Sequence, residues 1–305
     1  MRRDIAREAA GSGAPRDEAH GAALEPGLYV VATPIGNLGD ITRRALEVLA
    51  AAHLVAAEDT RVTRALLHHY GIAARVVALH EHNEARAAGA VIEAIAAGKA
   101  VALVSDAGTP AVSDPGHEVV RRVREAGHRV VPVPGASALT AALSASGLAF
   151  EGVVFAGFLP VKGSARRERL AALAAGSWAI ALFESPHRIA QTLGDLHAAL
   201  GERDVVIARE ITKKFESIAR VPLAGARAWL EADPDRSRGE FVLVIEGRAV
   251  DRGQGIDADR VLGALLEELP VKQAVALAVR ITGAPRNELY AAALEIKDAK
   301  PNPAR

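Results

Sequence analysis

Residues 104–116 read VSDAGTPAVSDPG, a loop of small and polar residues between an apolar run at 101–104 and an amphipathic segment at 117–125. This order predicts a strand, a turn and the start of a helix. Open α/β sheets bind ligands at the loops that follow the carboxyl ends of their strands. Small residues let the backbone approach a ligand closely, and Asp106 and Asp114 offer acceptor oxygens. The loop therefore predicts a small-molecule site, in which Asp114 either accepts from the ligand or caps the helix that follows.

The same alternation of strand and helix extends to both sides of this loop. Predicted strands end at TPIGN (33–37), EDTR (58–61), HEHNE (80–84) and PGASA (134–138). Such an alternation indicates a mainly parallel sheet with helices on its faces. Its strand-end loops then lie along one edge of the sheet. The glycine spacing matches neither GxGxxG nor GxxxxGK[ST], so a dinucleotide or a nucleoside triphosphate is not favoured.

The pattern changes after residue 147, and further strands are predicted at 153–158, 178–183, 204–208 and 240–246. We therefore predict two α/β domains, at 27–149 and 150–247. A charged extension at 1–26 precedes them and is expected to be disordered, because it lacks an apolar core. A linker and a small helical tail are predicted at 248–305.

Composition excludes several kinds of function. The chain has 305 residues, with 37 basic and 37 acidic side chains, so any binding of nucleic acid must rely on local patches. The absence of cysteine excludes disulfides, thiolate catalysis and zinc–thiolate sites. The HxH at 80–82 lacks the helical spacing of a zinc protease, and no metal is predicted. Without a membrane-length apolar run or a signal peptide, a cytoplasmic protein is expected.

Charged side chains at the strand ends have two interpretations each. Glu58 and Asp59 fit either a solvated, capped turn or a base that orients a substrate hydroxyl. Glu184 and Arg188 fit either a site or a structural ion pair. The basic side chains fit either a solvated face or a rim that contacts phosphates; they are Arg61, Lys162, Arg166, Arg167, Arg169, Arg188, Lys213 and Lys214.

Taken together, the motifs resemble the ribosomal small subunit methyltransferase I family, a branch of the tetrapyrrole methylase superfamily. The resemblance covers residues 27–247. Its motifs, in order, are ATPIGNLGDI (32–41), AEDTR (57–61), VSDAGTPAVSDPG (104–116), PVPGASA (132–138), FESPHR (183–188), REITK (209–213) and GEFVLVIEG (239–247).

This resemblance implies a fold, a reaction and partners. The fold is α/β, with two domains of the tetrapyrrole methylase type, a cofactor cleft between them and a small C-terminal helical unit. The reaction is S-adenosylmethionine-dependent 2′-O-methylation of a decoding-centre cytidine in 16S rRNA. The partners are 16S rRNA or the 30S subunit and a second copy of the chain, with no membrane and no metal.

The resemblance also implies site residues. Cofactor contacts are expected at Pro34, Asp106, Ala107, Gly108, Thr109, Ser137, Ala138, Phe183, Ala208, Arg209 and Glu210. Candidates for the base are Glu58, Asp59 and Glu81, followed by His80 and Lys213. Contacts to RNA are expected from Arg61, Lys162, Arg166, Arg167, Arg188 and Lys213.

Two other functions remain open. A precorrin or porphyrin methylase would share fold and cofactor, but the first turn lacks a GxGPG pattern and the middle loop reads SDAG rather than GDP. A non-catalytic nucleic-acid-binding module on the same fold is disfavoured by the retained loop at 104–116 and the acidic strand ends.

Overall fold

A computed structural model describes residues 24–79, 84–248 and 258–299. The chain divides into two compact units, one up to Gly247 and the other from Arg248 onward. Most of the predicted extension at 1–26, and the HEHN segment at 80–83, lie outside the described residues.

The first domain is built on a five-stranded parallel sheet with the order β3-β2-β4-β1-β5. Its strands are β1 Gly27–Val31, β2 Leu54–Ala57, β3 Val76–Ala78, β4 Ala100–Val104 and β5 Val130–Val133. Its helices are α1 Arg43–Ala51, α2 Thr60–His69, α3 Glu84–Ala96, α4 His117–Glu125 and α5 Ala138–Ala145, with a 3₁₀ turn at Leu38–Asp40.

Both faces of this sheet are covered, which explains why its strands read as continuous apolar runs. Along β1, Leu28 packs in one core cluster and Tyr29 in the cluster on the opposite face. Because β1 lies between β4 and β5, the loops that follow these three strands are neighbours at one edge of the sheet. The predicted gathering of strand-end loops is therefore present.

The second domain has a mixed sheet with the order β6-β7-β10-β8-β9. Only β6 and β7 pair in parallel; the other neighbours pair antiparallel. The strands are β6 Val153–Phe158, β7 Ala179–Glu184, β8 Asp204–Arg209, β9 Ser217–Pro222 and β10 Phe241–Ile245. The helices are α6 Gly163–Ala174, α7 Ile189–Leu200 and α8 Leu223–Glu231, with a 3₁₀ turn at Pro234–Ser237. Strand β9 is not predicted by the sequence pattern.

The last helix of the first domain joins the two domains. Helices α6, α7 and α8 bury one face of the second sheet, around residues such as Leu170, Leu193 and Leu230. The other face packs against α5, where Ala142 lies in one buried cluster with Val206 and Val244. The two domains therefore share buried apolar surface. This packing holds the strand-end loops of the first sheet beside the second sheet.

The second unit contains helices α9 Ala258–Glu268, α10 Val271–Thr282 and α11 Arg286–Ala299. Leu262, Val275 and Leu289 form its buried core. The predicted C-terminal helical region is therefore confirmed. Among the described residues, no helix has the length and apolar character needed to cross a membrane.

Candidate functional site

A cavity of about 320 Å³ opens between the two α/β domains. The first domain contributes the loops after β1, β4 and β5, and the second contributes the ends of β6, β7 and β8 and the start of β10. Its lining residues are Ile35, Ala107, Gly108, Thr109, Val112, Asp114, Ser137, Ala138, Phe158, Phe183, Glu184, Ser185, Pro186, Glu210, Ile211, Lys213, Glu240, Phe241 and Val242.

The loop after β4 is pinned to the loop after β1. Gly108 and Thr33 exchange two backbone hydrogen bonds, of 2.9 and 3.0 Å. Gly108 has a φ of +78°, and a Cβ added there would lie 3.3 Å from the side chain of Ile35. A glycine is therefore required by both the backbone angle and the close approach.

Asp114 does not cap the helix that follows it. Helix α4 begins after Gly116, which makes no side-chain cap. Glu84, only 6% exposed, instead accepts hydrogen bonds from the backbone N–H of Gly116 at 2.9 Å and of Glu118 at 3.2 Å. The capping interpretation of Asp114 is wrong because a carboxylate from the preceding helix already satisfies those donors.

Asp114 lines the cavity instead. Burial raises the pKa of its carboxyl group, a hydrogen bond with the Ser105 hydroxyl opposes that rise, and the charge of Asp106 adds to it.

The second domain contributes an ion-pair network to the opposite wall. The Nζ of Lys213 lies 2.9 Å from Oε1 of Glu210 and 2.8 Å from Oε2 of Glu240. Burial raises the pKa of Glu210, but the bonds from Lys213 and from the Glu240 backbone N–H outweigh it, so this pKa lies below its usual range. Burial lowers the pKa of Lys213, but the two carboxylates outweigh it and the net shift is upward. Glu210 and Lys213 are therefore both charged near neutral pH.

The stem of Lys213 also touches the first domain. A Cβ added to Gly36, in the loop after β1, would lie 2.4 Å from Cγ of Lys213. Gly36 has a φ of +146°, so both space and backbone favour glycine. This contact links the walls of the cavity across the domain boundary.

Backbone strain is concentrated in the loops of the cavity. Within the described residues, the non-glycine residues with positive φ are Ala111 (65°), Ser113 (66°), Glu210 (51°) and Thr212 (67°). Two belong to the loop after β4 and two to the loop after β8. Strained residues that the surrounding structure holds in place cluster at ligand sites.

An aromatic group forms the apolar end of the cavity. The rings of Phe158 and Phe183 meet edge to face with centroids 5.7 Å apart, and Phe155 lies 5.0 Å from Phe183. Phe158 is 53% exposed at the end of β6, where the pairing with β7 shifts register and Gly157 has a φ of +60°. The irregularity places an aromatic face at the cavity rim.

The structure brings seven of the eleven predicted cofactor positions to this cavity. These are Ala107, Gly108, Thr109, Ser137, Ala138, Phe183 and Glu210. Pro34, Asp106, Ala208 and Arg209 are not among its lining residues. Asp106 instead accepts a 3.0 Å hydrogen bond from the backbone N–H of Asp59, and its own N–H lies 3.4 Å from the Glu58 carboxylate.

Several lining residues, among them Glu240 and Phe241, are not predicted from the sequence. The quoted motif at 239–247 contains both, but it gave no indication that the start of β10 faces the cavity.

The predicted bases at the end of β2 are not lining residues of the cavity. Asp59 caps α2 through the N–H of Arg61 at 2.8 Å, and its carboxylate pairs with the Arg61 guanidinium at 2.6 Å. These interactions lower the pKa of Asp59 to about 2. Such a carboxylate is a poor proton acceptor. Glu81 and His80 lie outside the described residues.

The predicted RNA contact at Arg166 is wrong for a physical reason. Arg166 is 1% exposed, and its Nε lies 2.6 Å from Oδ2 of Asp195. Its terminal nitrogen donates to the carbonyl of Val161 at 3.1 Å. The side chain therefore joins α6, α7 and the loop after β6 from inside the fold, where no phosphate can reach it.

The remaining predicted cations divide into bound and exposed groups. Arg188 donates to the carbonyl of Leu159 at 2.6 Å and lies 3.4 Å from Glu184, which favours the structural interpretation of that pair. Lys213 is held in the ion-pair network. Arg61 is exposed but paired with Asp59, and Lys162 and Arg167 are exposed at the start of α6.

Comparison with known proteins gives the class of the molecule. The sequence profile described as Tetrapyrrole (Corrin/Porphyrin) Methylases matches residues 27–227. Two solved structures share the fold: the methyltransferase CobJ, 21% identical with a TM-score of 0.55 over 74% of this chain and 96% of that chain; and uroporphyrin-III-C-methyltransferase from Thermus thermophilus, 22% identical with a TM-score of 0.52 over 72% of this chain and 94% of that chain. The protein therefore belongs to the tetrapyrrole methylase family and has its fold.

Curated relatives define the family within that class. The chain is 50% identical to "Ribosomal RNA small subunit methyltransferase I" of Escherichia coli O157:H7, over 88% of this chain and 94% of the relative. It is also 50% identical to the protein of the same name from Mesorhizobium japonicum, over 90% of this chain and 94% of the relative. A profile described as the RsmI C-terminal HTH domain matches residues 253–297. The chain belongs to the ribosomal RNA small subunit methyltransferase I family, and that resemblance is confirmed.

Proposed function

We propose that this protein transfers a methyl group from S-adenosylmethionine to the ribose 2′-oxygen of a decoding-centre cytidine in 16S rRNA. The observation that carries the proposal is the cavity, because seven of the eleven positions expected to hold the cofactor line it. The names of the curated relatives support a ribosomal RNA substrate. The reaction takes place in the cytoplasm, on 16S rRNA or the 30S subunit, and the enzyme acts as a homodimer.

The residues of the cavity fit the proposed cofactor. Its volume of about 320 Å³ lies at the lower end of the range for small-molecule sites. Apolar side chains such as Val112 and Ile211 alternate there with polar groups. Ser137 precedes α5 but makes no side-chain cap, so its hydroxyl is not committed to the helix. When bound, S-adenosylmethionine supplies an electrophilic methyl group.

The protein contributes to this reaction mainly by positioning. Holding a methyl donor and a hydroxyl in line converts a bimolecular reaction into an effectively unimolecular one. Residues 107–109 and Ser137 would hold the donor from the first domain, and Glu210 would form the facing wall of its site in the second. The shared cluster around Ala142 keeps these walls in fixed relation.

The RNA reaches the cavity along an exposed basic edge. Lys162 and Arg167 stand at the start of α6, a short stretch of chain after Phe158 at the cavity rim. Since the net charge of the chain is zero, contacts with phosphate depend on such local cations. They orient the RNA without reading its sequence.

In the decisive assay, the purified protein is incubated with labelled S-adenosylmethionine and with 30S subunits, free 16S rRNA or a tetrapyrrole. We expect label in the RNA, mapped to the 2′-oxygen of one decoding-centre cytidine. Label on the tetrapyrrole alone would instead establish the porphyrin-methylase alternative. A protein that binds RNA but not the donor would be the non-catalytic module.

A variant tests the basic edge separately. The double variant Lys162→Glu/Arg167→Glu should weaken rRNA binding and lower the salt slope of that binding by about 1–2, with unchanged affinity for the methyl donor. Arg227→Glu reverses an exposed cation on α8 and serves as the matched control. If the two variants bind RNA equally well, Lys162 and Arg167 do not contact RNA and belong to an ordinary solvated face.

A further inference from the structure

We propose that Asp114 is the catalytic base, which accepts the proton of the ribose 2′-hydroxyl during methyl transfer. This inference rests on the proposed function. It replaces the sequence candidates at the end of β2 with a carboxylate that lines the cavity itself.

The backbone conformation just before Asp114 places this residue at the cavity wall. Ala111 and Ser113, in the segment just before it, both adopt left-handed φ angles, of 65° and 66°. Such conformations cost about 1–2 kcal/mol for a residue with a side chain. The turn delivers Asp114 to the cavity wall, while Glu84 performs the helix capping that an aspartate at this position would ordinarily perform.

The other carboxylates of the cavity are already engaged. Glu184 is buried and accepts from the Thr192 hydroxyl at 2.6 Å and from the Ser185 N–H at 2.7 Å. Glu210 and Glu240 share the ammonium group of Lys213. By contrast, no ion pair of Asp114 occurs among the described residues. Asp114 is thus the lining carboxylate that is not held by a cation.

The surroundings of Asp114 favour a proton acceptor. Burial raises its pKa, the Ser105 hydroxyl opposes this, and Asp106 adds to the rise. A base becomes stronger as its pKa rises toward the working pH. The charged side chains that line the same cavity are Glu184, Glu210, Lys213 and Glu240.

The proposed step balances in atoms and electrons. The 2′-oxygen forms a bond to the methyl carbon while the carbon–sulfur bond of the donor breaks, and the sulfur keeps the electron pair. The hydroxyl proton passes to a carboxylate oxygen of Asp114. Solvent then removes that proton and restores the ionised carboxylate.

The test measures single-turnover methylation of 30S subunits or 16S rRNA from pH 5 to pH 9, with saturating donor. Since the ionised carboxylate is the active form, the wild-type rate should fall as the pH drops through the raised pKa of Asp114. Asp114→Asn should lose about 10²–10⁴-fold in rate and should lose this acidic limb. Its affinity for S-adenosylmethionine, measured by calorimetry, should stay within about twofold of wild type. Asp114→Glu keeps a carboxylate and should retain the limb.

The matched control is Glu125→Gln, which removes an exposed carboxylate at the far end of α4 and should keep the wild-type rate and pH profile. An Asp114→Asn variant with a rate within threefold of wild type would overturn the proposal. So would a parallel loss of donor affinity, because Asp114 would then be a cofactor ligand. If that variant does not fold, a wild-type or Asp114→Glu profile without an acidic limb refutes the proposal. Failure of the proposed function has a different signature: wild type itself would methylate no rRNA.

Discussion

Replacing Arg166 by alanine should destabilise the second domain. The side chain is 1% exposed and joins Asp195 on α7, at 2.6 Å, to the carbonyl of Val161, at 3.1 Å. Alanine removes the cation but leaves Asp195 in place, with its side chain only 19% exposed. A partly buried carboxylate then loses its counter-ion, and a loop carbonyl loses its donor.

The size of the effect follows from these contacts. Removing one partner of a buried ion pair costs about 3–5 kcal/mol. Because Asp195 retains some access to water, we expect a loss near the lower end, about 3 kcal/mol. For a unit of this size, such a change lowers the melting temperature by about 6–12 °C.

Urea denaturation of the full chain measures the free energy of unfolding directly. Arg167→Ala is the matched control, because Arg167 is the next residue on α6 and is exposed. It should change stability by less than about 0.5 kcal/mol. If the free energies of unfolding of the two variants differ by less than about 1 kcal/mol, the buried contacts of Arg166 do not stabilise the second domain.

A compensating double variant separates charge from packing. Arg166→Met combined with Asp195→Leu replaces the ion pair with apolar groups of similar size, a change that is often neutral or stabilising in other proteins. We expect it to recover most of the stability lost in Arg166→Ala. A double variant as unstable as the single one would mean that the bond from Arg166 to Val161, rather than the ion pair, dominates.

Three further predictions concern the first domain. Gly36→Ala should weaken donor binding in calorimetry, because its Cβ would lie 2.4 Å from Cγ of Lys213; Gly71→Ala, with positive φ but no atom within 4 Å of the new Cβ, controls for backbone strain. Glu84→Ala should cost about 1–3 kcal/mol in urea denaturation, because two N–H groups at the start of α4 lose their acceptor; equal stability would contradict the cap. Asp59 has a folded pKa of about 2, so its ionised form stabilises the fold. The melting-temperature difference between wild type and Asp59→Asn should be complete at pH 7, shrink below about pH 4 and be lost as the pH falls through about 2; a difference as large at pH 2 as at pH 7 would contradict it.

The first domain could be predicted from the sequence because its signals are local. Each strand is an apolar run ending at a polar or glycine-containing loop, and parallel topology brings those ends to one edge. The loop at 104–116 and the PGASA segment at 134–138 therefore predicted most of the first-domain wall. The spacing of apolar residues and the residue types in the turns were sufficient to predict this domain.

The second domain and the individual charges were harder to predict because they depend on tertiary contacts. Strand β9, at Ser217–Pro222, alternates partly buried and exposed positions at the edge of the sheet and carries a weaker apolar signal. Arg166 lies in the densest basic run of the chain, and only the packing of α6 on α7 shows that it points inward. Glu84 caps a helix more than thirty residues away. No local pattern reveals such a partner.

The left-handed residues of the cavity loops link thermal stability to ligand affinity. Four such residues, at about 1–2 kcal/mol each, represent a sum comparable with much of the stability of an ordinary domain. In the described part of the chain this strain lies in the two loops, after β4 and after β8, that contribute residues to the cavity. Substitutions that relax these φ angles would raise the melting temperature. They would also change the shape of the cavity and so weaken ligand binding. A heat-adapted member of this family therefore has to gain its stability elsewhere, in the sheets and helices that support the two loops.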